Sequence, residues 1–369
     1  MARRHALTQI EVLRKMKKCV VVGSLAIGGR APIRVESMLK TPLSESDSLF
    51  KEMDKLVDAG CELVRVAFPD VSLKENLAEL VSRSRIPVMA DIHFDHRLAI
   101  AAMEAGCAAI RTNPGNMDSR HIGAVVEIAK ERGSTIRIGS NSGSVNRKQT
   151  EEAKGDKAKA LFLAVKEQAD LLLGLSFDKI ILSAKSTSVP ITVRANTLLA
   201  QAYPNLPFHV GITEAGPGIE GIVKGAVGLS LLLSQGIGDT IRVSLTGPSV
   251  EEVRVGYAIL SALEVRHKGV QIISCPLCGR RRVDVTSLLS VIKPHLEGLP
   301  DGLKVAVMGC EVNGPREAQE ADLGFAGSPH GVVAFSAGRV EAHISADKID
   351  EELPKIVEEW KRRRGMSDQ

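Results

Sequence analysis

Two sets of side chains in this 369-residue sequence are of the types that do chemistry. The first is a group of cysteines. Cys275 and Cys278 form a C-x-x-C pair in Ser274-Cys275-Pro276-Leu277-Cys278-Gly279. Cys310 follows 32 residues after Cys278, inside Met308-Gly309-Cys310-Glu311-Val312-Asn313-Gly314-Pro315-Arg316-Glu317. Thiolates are soft ligands that suit zinc or an iron–sulfur cluster. Structural zinc asks for a fourth Cys or His, and neither His295 nor His330 stands at a spacing that pairs with Cys310. The Gly- and Pro-rich wrapping of both segments suits a cluster loop instead, where backbone N–H groups point at sulfur. Three thiolates leave one iron to a weaker donor, and Glu311 or Glu317 could supply the oxygen. An iron held that way can take up substrate directly.

The second set is cationic. Arg65, Arg111, Arg137 and Arg242 each sit among apolar or β-branched neighbours, and Lys185 lies just past Ile180-Ile181-Leu182. A charge inside a buried strand is costly unless it is paired or reaches a wet cavity. Either each makes a structural ion pair, or together they line an anion site, for which the planar guanidinium fork suits phosphate or carboxylate. Carboxylates are fewer: Asp91 ends Pro87–Ala90, and Glu214 follows Gly211-Ile212-Thr213. Each could move a proton or orient an arginine, and nearby cations would lower its pKa. The Gly-containing stretches Arg111–Asn116 and Gly139–Ser144 add Asn113, Asn116, Asn141, Ser142 and Ser144. Such loops bring backbone N–H groups close to anions.

The elements that must position these residues repeat along the chain. An amphipathic helix is followed by a glycine, and then by a short β-branched run carrying an arginine. Ser44–Ala59 has Leu49, Phe50, Met53, Leu56 and Val57 at helical spacing, then Gly60 and Leu63-Val64-Arg65-Val66-Ala67. Gly106, Gly133 and Gly236 stand likewise before the runs holding Arg111, Arg137 and Arg242, where a left-handed helix cap is expected. Pro32–Glu36, Pro87–Ala90, Lys179–Leu182 and Phe208–Ile212 raise the strand candidates to eight. Eight strands alternating with helices imply a closed (β/α)8 TIM barrel, with a doubly wound open sheet as the runner-up. In such a barrel, strand C-terminal ends build the active mouth, where the cations lie. Cys19–Gly29 reads as a hairpin plugging one end. The pattern stops near Val265–Gly269, dividing the chain into a substrate-binding barrel, residues 1–265, and a smaller α+β cluster domain, residues 266–369. Cys61 and Cys107, each just after a cap glycine, read as core residues.

Composition agrees with that plan and excludes other classes. Aromatics are only 3 %, so the core must come from aliphatic residues, as in parallel sheets under helices. The net charge of +4 is mild, and no basic, aromatic-interleaved stretch marks a nucleic-acid binder. Met1–Lys18 is charged throughout and reads as neither a signal peptide nor a transmembrane segment. Ala226–Leu233 is too short to span a bilayer and reads as a buried helix. A cytoplasmic, reducing location follows, where metal or catalytic roles for cysteine outrank disulfides. Gly216-Pro217-Gly218-Ile219-Glu220-Gly221 fits the dinucleotide pattern G-x-G-x-x-G, but no strand-end acidic residue stands about twenty positions on.

The combined motifs resemble one family closely: the bacterial 4-hydroxy-3-methylbut-2-enyl diphosphate synthases of the methylerythritol phosphate route to isoprenoids. The likeness is carried by Val88–Asp95, Arg111–Asn116, Arg137–Ser144, His209–Gly216, Gly238–Ser244 and both cysteine segments, nearly end to end. It implies a TIM barrel followed by a 4Fe–4S domain, without the middle domain of plant relatives. It also implies reductive ring opening of 2-C-methyl-D-erythritol 2,4-cyclodiphosphate with loss of water, and flavodoxin or ferredoxin as the one-electron donor. By motif position the cluster ligands would be Cys275, Cys278, Cys310 and a displaceable Glu317, with Glu214 the proton donor. Arg65, Arg111, Arg137, Lys185 and Arg242, with Asn113, Asn141 and Ser244, fall where the family grips the diphosphate, and Asp91 is counted with them. The resemblance further implies a homodimer, one chain's cluster domain capping the partner's barrel. Glu311 and Arg316 depart from the usual Val or Ala and Gly, and Glu311 sets a second carboxylate beside Cys310. The runner-up is a zinc-dependent or pterin-type barrel acting on phosphate esters, its cysteines structural. A non-catalytic iron–sulfur sensor would have no use for the arginines.

Overall fold

A computed structural model describes residues 8–14, 17–92, 95–113, 121–276, 278–311 and 318–366. The chain divides into two compact units, residues 1–265 and 266–369.

The first unit is built on eight parallel strands: β3 (Arg34–Met38), β4 (Leu63–Ala67), β5 (Val88–Asp91), β6 (Ala109–Thr112), β7 (Thr135–Asn141), β8 (Ile180–Lys185), β9 (His209–Val210) and β11 (Thr240–Ile241). They lie side by side in chain order from β3 to β8, and β11 sits between β3 and β9. A parallel bridge from Leu182 to Phe208, with the Leu182 N–H donating to the Pro207 carbonyl at 3.0 Å, joins β8 to β9 and closes the ring. Each of the eight runs read from sequence is one of these strands. The helices between them bury aliphatic stripes against the sheet: α2 (Ser46–Asp58) turns Leu49, Met53 and Leu56 inward. Gly60, Gly106, Gly133 and Gly236 all adopt positive φ, from 67° to 95°, where a side chain would be strained. That is what lets the chain leave a helix and re-enter the barrel within a few residues.

The hairpin β1 (Val20–Val22) and β2 (Leu25–Ile27) packs Val20, Val22 and Ile27 against Leu63, Met89, Ala109 and Ile181. Those partners lie toward the strand N-terminal ends, so the hairpin plugs the mouth opposite the arginines.

One expectation needs correction. Ala226–Leu233 belongs to α9 (Gly218–Leu233), which is buried on one side only. Ile219, Val223, Val227 and Leu231, spaced four apart, are exposed. The reason is the opposite face. An added Cβ on Gly228 would lie 2.5 Å from Ile212 Cδ1, and on Gly221 it would strike the Gly216 carbonyl. Gly221, Gly225 and Gly228 draw this helix onto the barrel together with Leu229, Leu232 and Leu233, and leave the row from Ile219 to Leu231 outward. The G-x-G-x-x-G stretch thus does packing work where α9 meets the short parallel pair β10 (Gly216–Pro217) and β12 (Leu245–Thr246). Among the described residues, no helix is long and apolar enough to cross a membrane.

The second unit is a five-stranded sheet: β13 (Gln271–Ser274), β14 (Lys304–Met308), β15 (Leu323–Ser328), β16 (Gly331–Ser336) and β17 (Arg339–Ser345). Its first three strands run parallel and the last three antiparallel. Helices Val285–Ile292 and Ile349–Arg363 cover it with Leu288, Ile292, Leu353, Val357 and Trp360.

One buried knot secures the barrel seam. Asp239, fully buried, accepts from Arg14 Nε at 3.0 Å, Lys17 Nζ at 3.0 Å and the Phe208 N–H at 2.8 Å. It pins α1 (Gln9–Arg14) and the start of β9 to the turn before β11. Burial pulls the Lys17 ammonium below its ordinary pKa, with Asp239 opposing the shift. Asp239→Ala leaves two cations facing each other without a counterion. Chemical denaturation should show a loss of about 3–5 kcal/mol, and a loss below about 1 kcal/mol would remove this knot from the account of closure.

Candidate active site

The C-terminal ends of the barrel strands enclose a cavity of about 210 Å³ lined by Arg65, Asp91, Arg111, Arg137, Asn141, Lys185, Arg242 and Ser244. Eight residues singled out from sequence thus meet in one space. Gly139, Ser183, His209 and Thr213 complete the lining. Asn113 is buried nearby in the chain, after β6, and its Oδ1 has no partner among the described residues. Glu214 does not line the cavity. It follows Thr213 and is exposed, with φ of 49°. Asn116 and Glu317 lie outside the described residues.

The cations are held apart by three carboxylates, of which sequence reading singled out only one. Asp91 accepts from Arg111 Nη1 at 3.0 Å and stands 3.5 Å from Arg65 Nε, so it orients two arginines. Arg111 Nη2 also donates to the Gly139 carbonyl at 2.8 Å. Glu36, from β3, takes Arg137 Nη1 at 2.5 Å. Glu252, on α10 (Ser249–Ala262), takes Arg242 Nη2 at 3.1 Å and accepts from the Ser37 hydroxyl and the Leu245 N–H. A soft acceptor adds to them: Met38 Sδ receives Arg65 Nη2 at 3.0 Å and Nε at 3.3 Å.

Burial dominates the electrostatics. Burial pushes the Arg137 pKa down to about 10, with Glu36 opposing and Arg65 adding to the fall. Burial raises Glu36, but Arg137 and Arg65 overcome it and hold the carboxyl below its usual range. Lys185 falls well below the ordinary lysine value through burial first, then through Arg65 and Arg137. Its Nζ lies 2.7 Å from His209 Nε2, and His209 Nδ1 lies 2.8 Å from Thr240 Oγ1. The imidazole is fully buried, and burial, Lys185 and Arg137 depress its pKa far below 6.5. Five cations face three carboxylates among these residues, leaving the bowl net positive and suited to a small polyanion.

Glu36 and His209 were visible in the sequence. Each is a polar residue at the edge of an apolar run, the same signal that marked the arginines. Glu252 left no such signal, because it sits on a helix among other acidic residues.

In the second unit, β13 and β14 run parallel with Ser274 beside Val307, so Cys275 and Cys310 leave neighbouring strand ends. The Gly309 N–H donates to Cys275 Sγ at 3.1 Å. A Cβ at Gly309 would stand 3.3 Å from Arg281 Cβ, tighter than most such contacts, and 3.4 Å from that sulfur. Cys310 is buried and Cys278 exposed, its thiol pKa lowered chiefly by the Arg280 backbone N–H. Glu311 Oε2 is buried without a partner among the described residues. No three His, Cys, Asp or Glu side chains among the described residues surround one point as a single metal ion requires. A cluster differs, since each of its irons takes its own protein ligand. Soft thiols with a backbone donor aimed at sulfur fit that group. Cys61 and Cys107, both buried, have thiol pKa values pushed by burial up to about 12 and are chemically inert.

Residues 17–257 match the GcpE TIM-barrel domain, and residues 271–359 match the GcpE protein C-terminal domain. A relative from Ruminiclostridium cellulolyticum, "4-hydroxy-3-methylbut-2-en-1-yl diphosphate synthase (flavodoxin)", is 42% identical over 349 residues, covering 94% of this chain and 99% of its own. A protein of the same name from Caldanaerobacter subterraneus subsp. tengcongensis is 43% identical over 347 residues, covering 94% and 98%. Among solved structures, a Yersinia pestis dihydropteroate synthase aligns with 67% of this chain and 98% of its own at 12% identity and a TM-score of 0.46, too distant to argue from. A two-domain match from residue 17 to residue 359, with relatives aligned over nearly their full length, makes this chain a member of the GcpE family, the 4-hydroxy-3-methylbut-2-en-1-yl diphosphate synthases.

Proposed function

We infer that this chain converts 2-C-methyl-D-erythritol 2,4-cyclodiphosphate into 4-hydroxy-3-methylbut-2-enyl diphosphate. Two electrons and two protons enter, a carbon–oxygen bond to a ring phosphate breaks, and one hydroxyl leaves as water. The observation that carries the reading is the cationic bowl at the barrel's C-terminal mouth. Its volume suits a small ligand, and its fixed guanidinium groups suit a diphosphate.

In this reading Arg65, Arg111, Arg137, Lys185 and Arg242 grip the diphosphate, with Asn113, Asn141 and Ser244 as neutral donors. Asp91, Glu36 and Glu252 fix the arginines before substrate arrives, so little reorganisation opposes binding. Glu214 supplies a proton from the rim. Its left-handed backbone at 49° supports that role, since such strain in a non-glycine residue persists where a side chain must be aimed. Cys275, Cys278, Cys310 and Glu317 would hold a 4Fe–4S cluster, which supplies single electrons and an iron open to substrate oxygen. Flavodoxin or ferredoxin would deliver the electrons. The name of these relatives specifies flavodoxin, which favours the first.

We further infer a homodimer in which one chain's cluster serves its partner's barrel. The exposed apolar row of α9 supports association, since a patch of that kind is usually covered.

Anaerobically purified protein should be brown and carry about four irons and four sulfides per chain. Colourless, zinc-containing protein would favour the phosphate-ester alternative. Cys278→Ser should abolish both colour and turnover. Arg111→Ala should keep the colour and weaken cyclodiphosphate binding by about 1.5–3 kcal/mol, read by calorimetry on unreduced enzyme. Loss of colour in Arg111→Ala would put that residue at the cluster instead. Mixing Cys278→Ser with Arg111→Ala, at a substrate concentration too low for Arg111→Ala to turn over, tests the shared site. If the cluster serves the partner's barrel, random exchange should restore roughly a quarter of wild-type turnover, and no recovery would place each cluster with its own barrel.

A further inference from the structure

The bowl contains a titratable pair that gripping a diphosphate does not by itself require. Lys185 Nζ and His209 Nε2 lie 2.7 Å apart, on adjacent strands β8 and β9, and both are buried. On the far side of the ring, Nδ1 lies 2.8 Å from Thr240 Oγ1 and 3.4 Å from Glu36 Oε2. Glu36 can only accept, so the proton belongs on Nδ1, and the Nε2 lone pair faces Lys185. His209 is thereby an acceptor fixed in one tautomer by two partners. Gly211 lies beside the pair, where a Cβ would stand 2.5 Å from the Arg242 carbonyl.

Every charged group packed around the pair bears on whether Lys185 carries its proton. Arg65 comes from β4, Arg137 from β7 and Arg242 from the end of β11, while Glu36 on β3 opposes them. Asp91 and Arg111, from β5 and β6, line the same cavity and pair with each other. Arginine does not release its proton in this range, whereas lysine does when buried. The excess positive charge of the empty bowl must therefore be relieved at Lys185.

We propose that Lys185 is the proton-accepting group of the bowl, uncharged in part when the bowl is empty and taking up a proton when a polyanion enters, with His209 the positioning residue that holds it toward the ligand. The step is a simple balance: solvent gives one proton to the Lys185 amine as two anionic charges enter the cavity. The proposal deepens the functional reading above and rests on it for the identity of the ligand.

The test is isothermal calorimetry of the cluster-loaded, unreduced enzyme in buffers of differing ionisation enthalpy, from about pH 6.5 to about pH 9. The probe is 2-C-methyl-D-erythritol 2,4-cyclodiphosphate. Its two phosphorus groups each carry one strong acid, so the ligand itself does not titrate in this range. The proton count should rise with pH toward one per ligand bound. Affinity should fall over the same range by up to about tenfold per pH unit, because a proton must be gathered from an ever thinner supply. Lys185→Arg, which cannot release its proton, should bind with a count near zero and a flat profile. His209→Leu should move the onset of the affinity loss to lower pH, and His209→Gln, which restores an acceptor, should move it back. A purely structural role for His209 would leave that onset in place. A zero count at every pH in the wild type, or an unchanged count in Lys185→Arg, overturns the proposal. Sulfate, which also does not titrate here, serves as a second probe. If it binds with proton uptake while the cyclodiphosphate does not bind, the substrate assignment fails and the proton-accepting role of Lys185 stands.

Discussion

Four arginines and a lysine share one barrel mouth because Glu36, Asp91 and Glu252 stand between them. Cations this close together and this dry would repel one another and lose their hydration, a cost of several kcal/mol for each ion. Each carboxylate removes part of that cost at a chosen place. Glu36 neutralises Arg137 at the barrel centre, Asp91 bridges Arg65 and Arg111, and Glu252 reaches in from α10 to Arg242. The compensation is incomplete: four arginines face three carboxylates, with Lys185 in addition. What remains is a positive field that only an anion can complete.

That arrangement explains why the strands end as they do. β7 and β8 extend further than their neighbours, through Asn141 and Lys185. The pairing of β7 with β8 sets Asn141 beside Lys185 at the rim, and that of β6 with β7 sets Arg111 beside Arg137 two layers deeper. Parallel register thus converts a repeat along the sequence into a ring in space. Between β8 and β9 the bridge from Leu182 to Phe208 sets Ser183 level with His209, and the long Lys185 side chain spans the remaining two residues to bring its Nζ to the imidazole.

Much of this was legible from residue order alone. Strands showed as β-branched runs, and the cap glycines showed because glycine tolerates the left-handed backbone that follows four of the helices. The arginines showed because charge inside such runs is anomalous. Those are local signals, one residue against its neighbours. Glu252 is invisible to that test, since an acidic residue in the first turn of a helix is ordinary, and only the folded barrel turns it toward Arg242. Met38 is hidden for the same reason: a methionine in a strand signals packing, and its sulfur becomes an acceptor only once two guanidinium groups approach. The exposure of α9 was missed because an apolar helix with glycines on one face has two apolar faces, and composition does not say which meets the sheet. In the second unit, the burial of Glu311 left no signal either, because its position after Cys310 does not show that its Oε2 is enclosed without a partner among the described residues.

Glycine does in the mouth what the carboxylates do for charge: it makes the space. A Cβ on Gly139 would stand 2.8 Å from Arg111 Nε, and one on Gly211 would stand 2.5 Å from the Arg242 carbonyl. Either would push a cation off its strand or open the seam between β9 and β11. Neither glycine has positive φ, so backbone freedom is not why glycine is there. Close approach is the reason. The barrel is thin at these two points so that guanidinium and ammonium groups can fold back over the sheet and face inward. Gly309 is also closely packed in the second unit, where a Cβ would stand 3.3 Å from Arg281 Cβ, and its N–H donates to Cys275 Sγ. In both places a missing side chain lets a buried charge, or a thiolate that will carry one, be met by the backbone as well as by other side chains.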